Sequence, residues 1–511
     1  MRFRWNYYFQ ILSSLLYYRL RYKFKVEALL ITRMSLSSFP TSLSSEKAWK
    51  PKREPMESTR VIGANHNTET IGSIGFHHIE FYCGDAKNTA YRFAQALGMR
   101  ITGETGQMTG NDQCMSYALE SGDVRLLMTA PYSQMMSSRG STTNLNSDEL
   151  KNSASITNKI DDPSAPHCLP SFSVSKAHSF FQTHGLAAKA IGIEVRDTTA
   201  AYQAAVSRGA IPVLEPTRVE TCEGQKKLGV TIGGCQLAEV QLYGDVVLRF
   251  VSFDKEHGLD SKEASSTVHF PFLPHLAPVT GKISSRETFG IHRIDHAVGN
   301  VAKLLDALTY VSTFSGFHEF AEFTADDVGT VESGLNSVVL ASDSEDILLP
   351  LNEPTVGRRK SQIQTFLEQN EGAGLQHLAL KTRDIFGTIR QMTQAGDGFG
   401  AFELMNRPSD QYYRELPSRL GNKLSSEQYA ALEELGILAD ADNEGILLQI
   451  FTKPIGDRPT FFFEIIQRIG CQYTTEKATE TLERPGCGGF GRGNFRELFK
   501  SIEEHEKTLK V

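Results

Sequence analysis

AIGIEVRDTTAAYQAAVSRGA at residues 190–210 and HLALKTRDIFGTIRQMTQAG at residues 377–396 are two versions of one unit. In each, alternating apolar residues read as a strand, an Arg-Asp step follows, and a helical stretch ends at a glycine. Two further pairs echo each other: FHHIEF (76–81) with IDHAVG (294–299), and GDVVLRFVS (244–252) with GDRPTFFFEII (456–466). Self-similarity of this kind marks a duplicated architecture. The reading outward from these pairs predicts copies over about residues 75–253 and 288–470, built from short β-α-β units.

Aligning the copies on their shared Arg-Asp and Gly-Asp steps separates chemistry from scaffold. His296 then matches His78, His377 matches Ala190, and Glu464 falls at or near Arg249. Only the second copy holds two histidines and a carboxylate at strand positions. Ala190 has no lone pair and Arg249 brings positive charge, so one metal site per chain is expected, in the second half. Two imidazoles and one carboxylate are the ligand set of mononuclear non-haem Fe(II) oxygenases, which leave positions open for substrate and dioxygen. Residues so far apart meet only if three strands converge in one barrel. A histidine on a strand is more often a hydrogen-bonded structural residue. Glu464, within FFFEIIQ, is either a metal ligand or half of a buried salt bridge, because an unpaired carboxylate there would be costly.

The remaining sequence bounds the setting. The 511 residues carry 53 Lys+Arg against 60 Asp+Glu, a net charge of −7, which argues against a nucleic-acid binder. No apolar run is long enough for a transmembrane helix, so no membrane span is expected. The seven cysteines are scattered and form no C-x-x-C pair, so neither a zinc cluster nor a disulfide framework is expected, and a reducing compartment is. Residues 1–74 open basic, aromatic and almost acid-free, then turn serine-rich: a targeting segment, a solvated tail, or an upstream start with true initiation at Met34. Residues 133–175 read as a Ser/Thr/Asn-rich surface insertion, and 254–287 as a proline-bearing linker. Residues 288–511 then form the C-terminal domain.

The strings IDHAVGNV, FAEFTADDVGT, GLNSVVLAS, LLPLNEP, KSQIQTFLEQNEGAGLQHLAL, LLQIFTKPIGDRPTFFFEIIQR and GGFGRGNFRELFKSIEEHEKTL resemble the 4-hydroxyphenylpyruvate dioxygenases, nearest to their plant and algal branch. The likeness covers about residues 75–130 and 176–511. It implies an α+β chain of the vicinal oxygen chelate fold, with duplicated βαβββ modules forming two open barrels. It implies one Fe(II) per chain on His296, His377 and Glu464, and conversion of 4-hydroxyphenylpyruvate and dioxygen to homogentisate and carbon dioxide. A homodimer is a further family expectation, as is a role in tyrosine and phenylalanine catabolism or in plastoquinone and tocopherol supply. Location is expected to be cytoplasmic or plastid.

The pocket carries over residue by residue. Ser337, Asn352, Gln362 and Gln376 match the family's polar positions, with Gln362 and Gln376 in catalytic roles. Amides orient a phenol without titrating. Gln376 directly precedes His377, so on a regular strand it would face away, and a local distortion is needed for it to reach substrate. Phe451, Phe462, Phe490 and Phe495 match the aromatic lining, and Asn494 is read as both a pocket residue and a helix start. The glycines of 486–493 followed by an amphipathic helix suggest a hinged lid over the iron site. Two rival functions are 4-hydroxymandelate synthase, with the same triad and substrate, and a metal-free ligand-binding protein of the same fold. Phe451 and the tail favour the dioxygenase over the first, and the intact triad argues against the second.

Overall fold

The computed structural model describes residues 71–133, 169–221, 234–254, 272–279, 281, 287–324, 334–395, 401–474, 481–494, 497 and 501–502. The expected targeting segment therefore lies outside the described residues except for its last four, as does most of the expected insertion. All described residues belong to one compact unit, Val61–Val511. Among them no helix is long and apolar enough to cross a membrane.

Strand β1 (Ser73–Tyr82), helix α1 (Ala86–Leu97) and strands β2 (Arg100–Thr105), β3 (Cys114–Ser121) and β4 (Val124–Pro131) form a βαβββ unit. Helix α2 (Val174–His184) leads to a second unit: β5 (Ala187–Val195), α3 (Thr198–Ser207), β6 (Pro212–Val219), β7 (Cys235–Tyr243) and β8 (Val246–Phe253). These strands pair in the order β6-β7-β8-β5-β1-β4-β3-β2, and β9 (Ala277–Pro278) adds to the β2 edge. The second half repeats the plan with β10 (Ile291–Asn300), α4 (Leu304–Ser315), β11 (His318–Phe323), β12 (Leu335–Ala341) and β13 (Leu348–Pro354). After α5 (Gln362–Gln369) come β14 (Gly374–Thr382), α6 (Ile385–Ala395), α7 (Asp410–Leu420), α8 (Ser426–Leu435), β15 (Leu438–Ala441), β16 (Ile446–Phe451) and β17 (Phe462–Ile469). Their order, β11-β12-β13-β10-β14-β17-β16-β15, repeats that of the first sheet.

The shared Arg-Asp step has a local reason. Asp197 Oδ1 accepts from the Ala200 backbone N–H at 3.0 Å, and Asp384 Oδ1 accepts from that of Gly387 at 3.0 Å. In both copies the aspartate satisfies a donor that the first helical turn leaves unpaired.

Three features add to or depart from the sequence reading. The 254–287 segment is not a free connection in its described part: Phe272, Leu273 and Leu276 pack with Leu127, Leu237 and Val251, and Ala277–Pro278 pairs with β2. Proline is tolerated there because the pairing is at a sheet edge. The second half also carries a helical pair, α7 and α8, with no counterpart between α3 and β6. Finally, Cys471 and Cys487 form a disulfide despite the absence of a cysteine motif. They meet because the hairpin of β18 (Gln472–Thr474) and β19 (Thr481–Glu483) folds the chain back on itself. Cys83, Cys114 and Cys235 are buried and take part in no disulfide.

The two halves share one core. Phe81 meets Phe461 at 5.0 Å between ring centres and Phe93 meets Phe402 at 5.1 Å. Ser121 Oγ donates to the Ile291 carbonyl and Arg92 Nη1 to that of Ile455 at 2.7 Å.

Candidate active site

His296 on β10, His377 on β14 and Glu464 on β17 are brought together because these three strands are neighbours in the second sheet. The register sets His296 opposite Ala379, and Ala379 opposite Glu464. Glu464 Oε2 lies 3.1 Å from His296 Nε2 and 3.5 Å from His377 Nε2. One ligand atom from each residue falls within 4.8 Å of the others, and this is the metal-binding cluster found among the described residues. Two imidazole nitrogens and one carboxylate oxygen converging on a point are a donor set that suits Fe(II).

Two irregularities aim the imidazoles. Between Ile294 and His296 the register slips, leaving Asp295 as an extra residue on β10; between Val298 and Gly299 it slips again, leaving Gln376 extra on β14. A bulge turns a side chain away from the face that strict alternation would give it. Asp295 Oδ2 therefore accepts from His296 Nδ1 at 2.8 Å, and Gln376 Oε1 accepts from His377 Nδ1 at 2.9 Å. With both Nδ1 atoms engaged, both Nε2 atoms face the metal position. The distortion needed at Gln376 is thus present. Asp295 and its partner Arg468 were not read from the sequence, since alternation points Asp295 away from His296.

Burial disfavours charge on all three ligands, yet they hold it between them. For His296, hydrogen bonds to Asp295 and Glu464 outweigh burial and raise it to about 9. For Glu464, bonds from His296 and His377 outweigh burial and hold it down to about 2. His377 is lowered, chiefly by burial. Asp295 is held well below the usual carboxylate range, burial being overcome by Arg468.

Above the triad opens a cavity of about 620 Å³ lined by Ser337, Asn352, Gln362, Gln376, Phe451, Phe462 and Phe490, all expected from sequence. Gln449, Phe323 and Leu335 line it as well and were not anticipated. Phe462 stacks on His377, centroids 4.9 Å apart, and Phe490 meets His296 edge to face at 5.5 Å. Asn352 Nδ2 donates to Asn300 Oδ1 at 3.2 Å. Asn494 is one layer further out: it accepts from the Tyr412 hydroxyl at 2.8 Å and donates to Gln449 Oε1 at 3.4 Å, so it supports the wall and does not face the cavity. Residues 492–494 are a short 3-10 turn, and the expected pocket residue Phe495 lies outside the described residues. Of the expected lid helix, Ile502 reaches the cavity.

The first half shows the same plan without the ligands. His78 stands opposite Gly192, and Gly192 opposite Arg249, so Arg249 occupies the place of Glu464 and Ala190 that of His377. The bulges recur at His77 and Lys189. Arg249 donates to Glu80 at 2.6 Å, to Glu239 at 2.7 Å, and lies 2.9 Å from His78 Nε2. A guanidinium fills the centre where the second half gathers metal ligands.

Comparison with known proteins agrees with this geometry. No family model matches the chain. A 4-hydroxyphenylpyruvate dioxygenase from Arabidopsis thaliana is 51% identical over 454 residues, covering 89% of this chain and 92% of the relative. Another from Daucus carota is 49% identical over 452 residues, covering 88% and 91%. A solved mutant of 4-hydroxymandelate synthase from Streptomyces coelicolor superposes with a TM-score of 0.61 at 20% identity, covering 85% of this chain and 99% of that one, a likeness of fold. The two sheets of paired βαβββ units are the vicinal oxygen chelate architecture, and the chain belongs to the plant-like branch of the 4-hydroxyphenylpyruvate dioxygenase family.

Proposed function

We propose that this chain converts 4-hydroxyphenylpyruvate and dioxygen to homogentisate and carbon dioxide at Fe(II) held by His296, His377 and Glu464. The observation that carries the reading is the convergence of three ligand atoms beneath a cavity with amides and phenyl rings in its walls. When bound, Fe(II) supplies electrons for dioxygen and a Lewis acid for the carboxylate and keto oxygens of a 2-oxo acid.

The protein's part is geometry. Among the described residues lining the cavity, the only titratable side chains are the three ligands. Gln362 and Gln376, with Ser337 and Asn352, orient the substrate by hydrogen bonds that neither gain nor lose a proton across neutral pH. Phe451 and Phe462 offer ring surface to the phenyl group, worth about 0.5–1.5 kcal/mol for each well-placed contact. Phe490 and Ile502 help exclude water. We also propose a homodimer, located in the cytosol or a plastid.

Product analysis tests the assignment. The apoprotein is loaded with Fe(II) without air, given 4-hydroxyphenylpyruvate and then exposed to air. Homogentisate, identified by proton NMR, is expected, and is lost in His296→Ala, His377→Ala and Glu464→Ala. The fold likeness to a 4-hydroxymandelate synthase makes hydroxylation at the benzylic carbon the second reading, and 4-hydroxymandelate as product would replace the first with it.

A further inference from the structure

The chain segment carrying Phe490 is tied to one metal ligand through a single buried side chain. Arg468 extends from β17, and its guanidinium is fully buried. Nε and Nη2 donate to the two Asp295 oxygens at 2.9 and 2.7 Å. Nη1 donates to the carbonyls of Cys487 and Gly489, the latter at 2.8 Å. The guanidinium lies 5.7 Å from the centre of the Phe490 ring. Asp295 in turn holds His296 Nδ1, and Phe490 packs on the His296 ring. A closed circuit results: His296, Asp295, Arg468, the 487–490 strap, and back to His296. His377 is held instead by Gln376, which belongs to the cavity wall.

A guanidinium is planar, with its donors in a fixed fork. Its bonds to Asp295 and to the strap cannot be aimed independently. Lifting the strap therefore turns the plane that holds Asp295, and Asp295 fixes the ring of His296. We propose that Arg468 is a positioning residue that couples seating of the 487–490 strap to the orientation of His296, so that full ligand geometry is reached only when Phe490 closes the cavity. This rests on His296 being an iron ligand.

A strap variant tests it without touching Arg468, Asp295 or a ligand. Gly488 has φ +82°, and a Cβ there would fall 2.8 Å from the Ile446 carbonyl carbon and 2.9 Å from the Leu447 nitrogen. Gly488→Ala must lift the strap from β16. Two quantities are read on the full chain: Fe(II) affinity of the apoprotein without air, by competition with a chromogenic chelator, and dioxygen consumed per homogentisate formed. Gly488→Ala is expected to weaken Fe(II) binding several-fold and to raise oxygen use per product. Arg468→Gln should weaken Fe(II) binding by several-fold and by no more than about 10–100-fold, the range for losing a ligand's own hydrogen-bonded partner, here Asp295. Arg468→Lys keeps the charge but not the fork, so it should lower the melting temperature less than Arg468→Gln while still losing affinity and coupling. It also serves if Arg468→Gln does not fold. Parental Fe(II) affinity in Gly488→Ala, or parental affinity and coupling in Arg468→Lys, overturns the proposal. If His296→Ala binds Fe(II) as tightly as the parent, it is the iron assignment that fails.

Discussion

Glu464 stands between two imidazole nitrogens, 3.1 Å from one and 3.5 Å from the other, and the three side chains divide charge among themselves before any metal arrives. His296 is raised to about 9 because its bonds to Asp295 and Glu464 overcome burial, so at neutral pH it carries a proton that Fe(II) must displace. Apparent Fe(II) affinity is therefore expected to rise with pH, by up to about tenfold per unit, until the His296 value is reached. Titrations without air at three pH values between neutrality and that value check this; a flat response would mean His296 is already neutral. The apoprotein's stability follows the same shifts. The His296 contribution is full below the unfolded imidazole value and lost as pH rises through about 9. That of Glu464 is full above the unfolded carboxylate value and lost as pH falls through about 2. A second residue-scale prediction concerns Gly491, at φ 74°, where a Cβ would collide with Gln449 Oε1. Gly491→Ala is expected to cost about 1–2 kcal/mol in thermal unfolding from its left-handed backbone, and to raise KM by displacing the Gln449 amide.

Bulges and a cross-link decide what the elements do. The ligand strands were legible, because three pairs of echoed segments differ where the chemistry differs. The partners of the ligands were not, because an alternation of two assigns Asp295 and Gln376 to the face opposite His296 and His377, and only a slip in register brings them round. The strap is likewise held by tertiary contacts: the Cys471–Cys487 disulfide at its base, across a separation of 16 residues, and Tyr412 of α7 through Asn494 and Gln449 at its end. Replacing both cysteines by serine should lower stability by about 3 kcal/mol on the chain-entropy account. Chemical denaturation of the oxidised parent, the reduced parent and the double variant measures it. Equal midpoints in all three would mean the cross-link closes nothing that matters.

For the whole molecule, duplication has produced one half that binds and one that supports. In the first, Arg249 sits among Glu80, Glu239 and His78, so the barrel centre is filled by a compensated charge. Removing that cation leaves two buried carboxylates without it. Arg249→Met is expected to destabilise the chain by about 3–5 kcal/mol, while Fe(II) binding in the second half persists as long as the chain is folded. Thermal unfolding with a parallel Fe(II) titration tests both parts. A loss of Fe(II) binding in folded protein would show that the first half does more than support. The halves cannot be treated as separable, since Phe81, Phe93, Phe402 and Phe461 belong to one continuous core.

The sequence by itself determined the duplication and marked the two histidines and the glutamate, because these rest on which residue types stand at equivalent strand positions; the amides and phenyl rings of the cavity were read from the family resemblance. Tertiary structure alone decided the second layer. Asp295 meets His296 through a bulge, Arg468 reaches it across the sheet, Cys471 finds Cys487 through a hairpin, and Asn494 lies behind Gln449 and not in the pocket. Local pattern fixes the face of a regular strand. It carries no information about where register slips, or about which distant side chain fills the space that a slip opens.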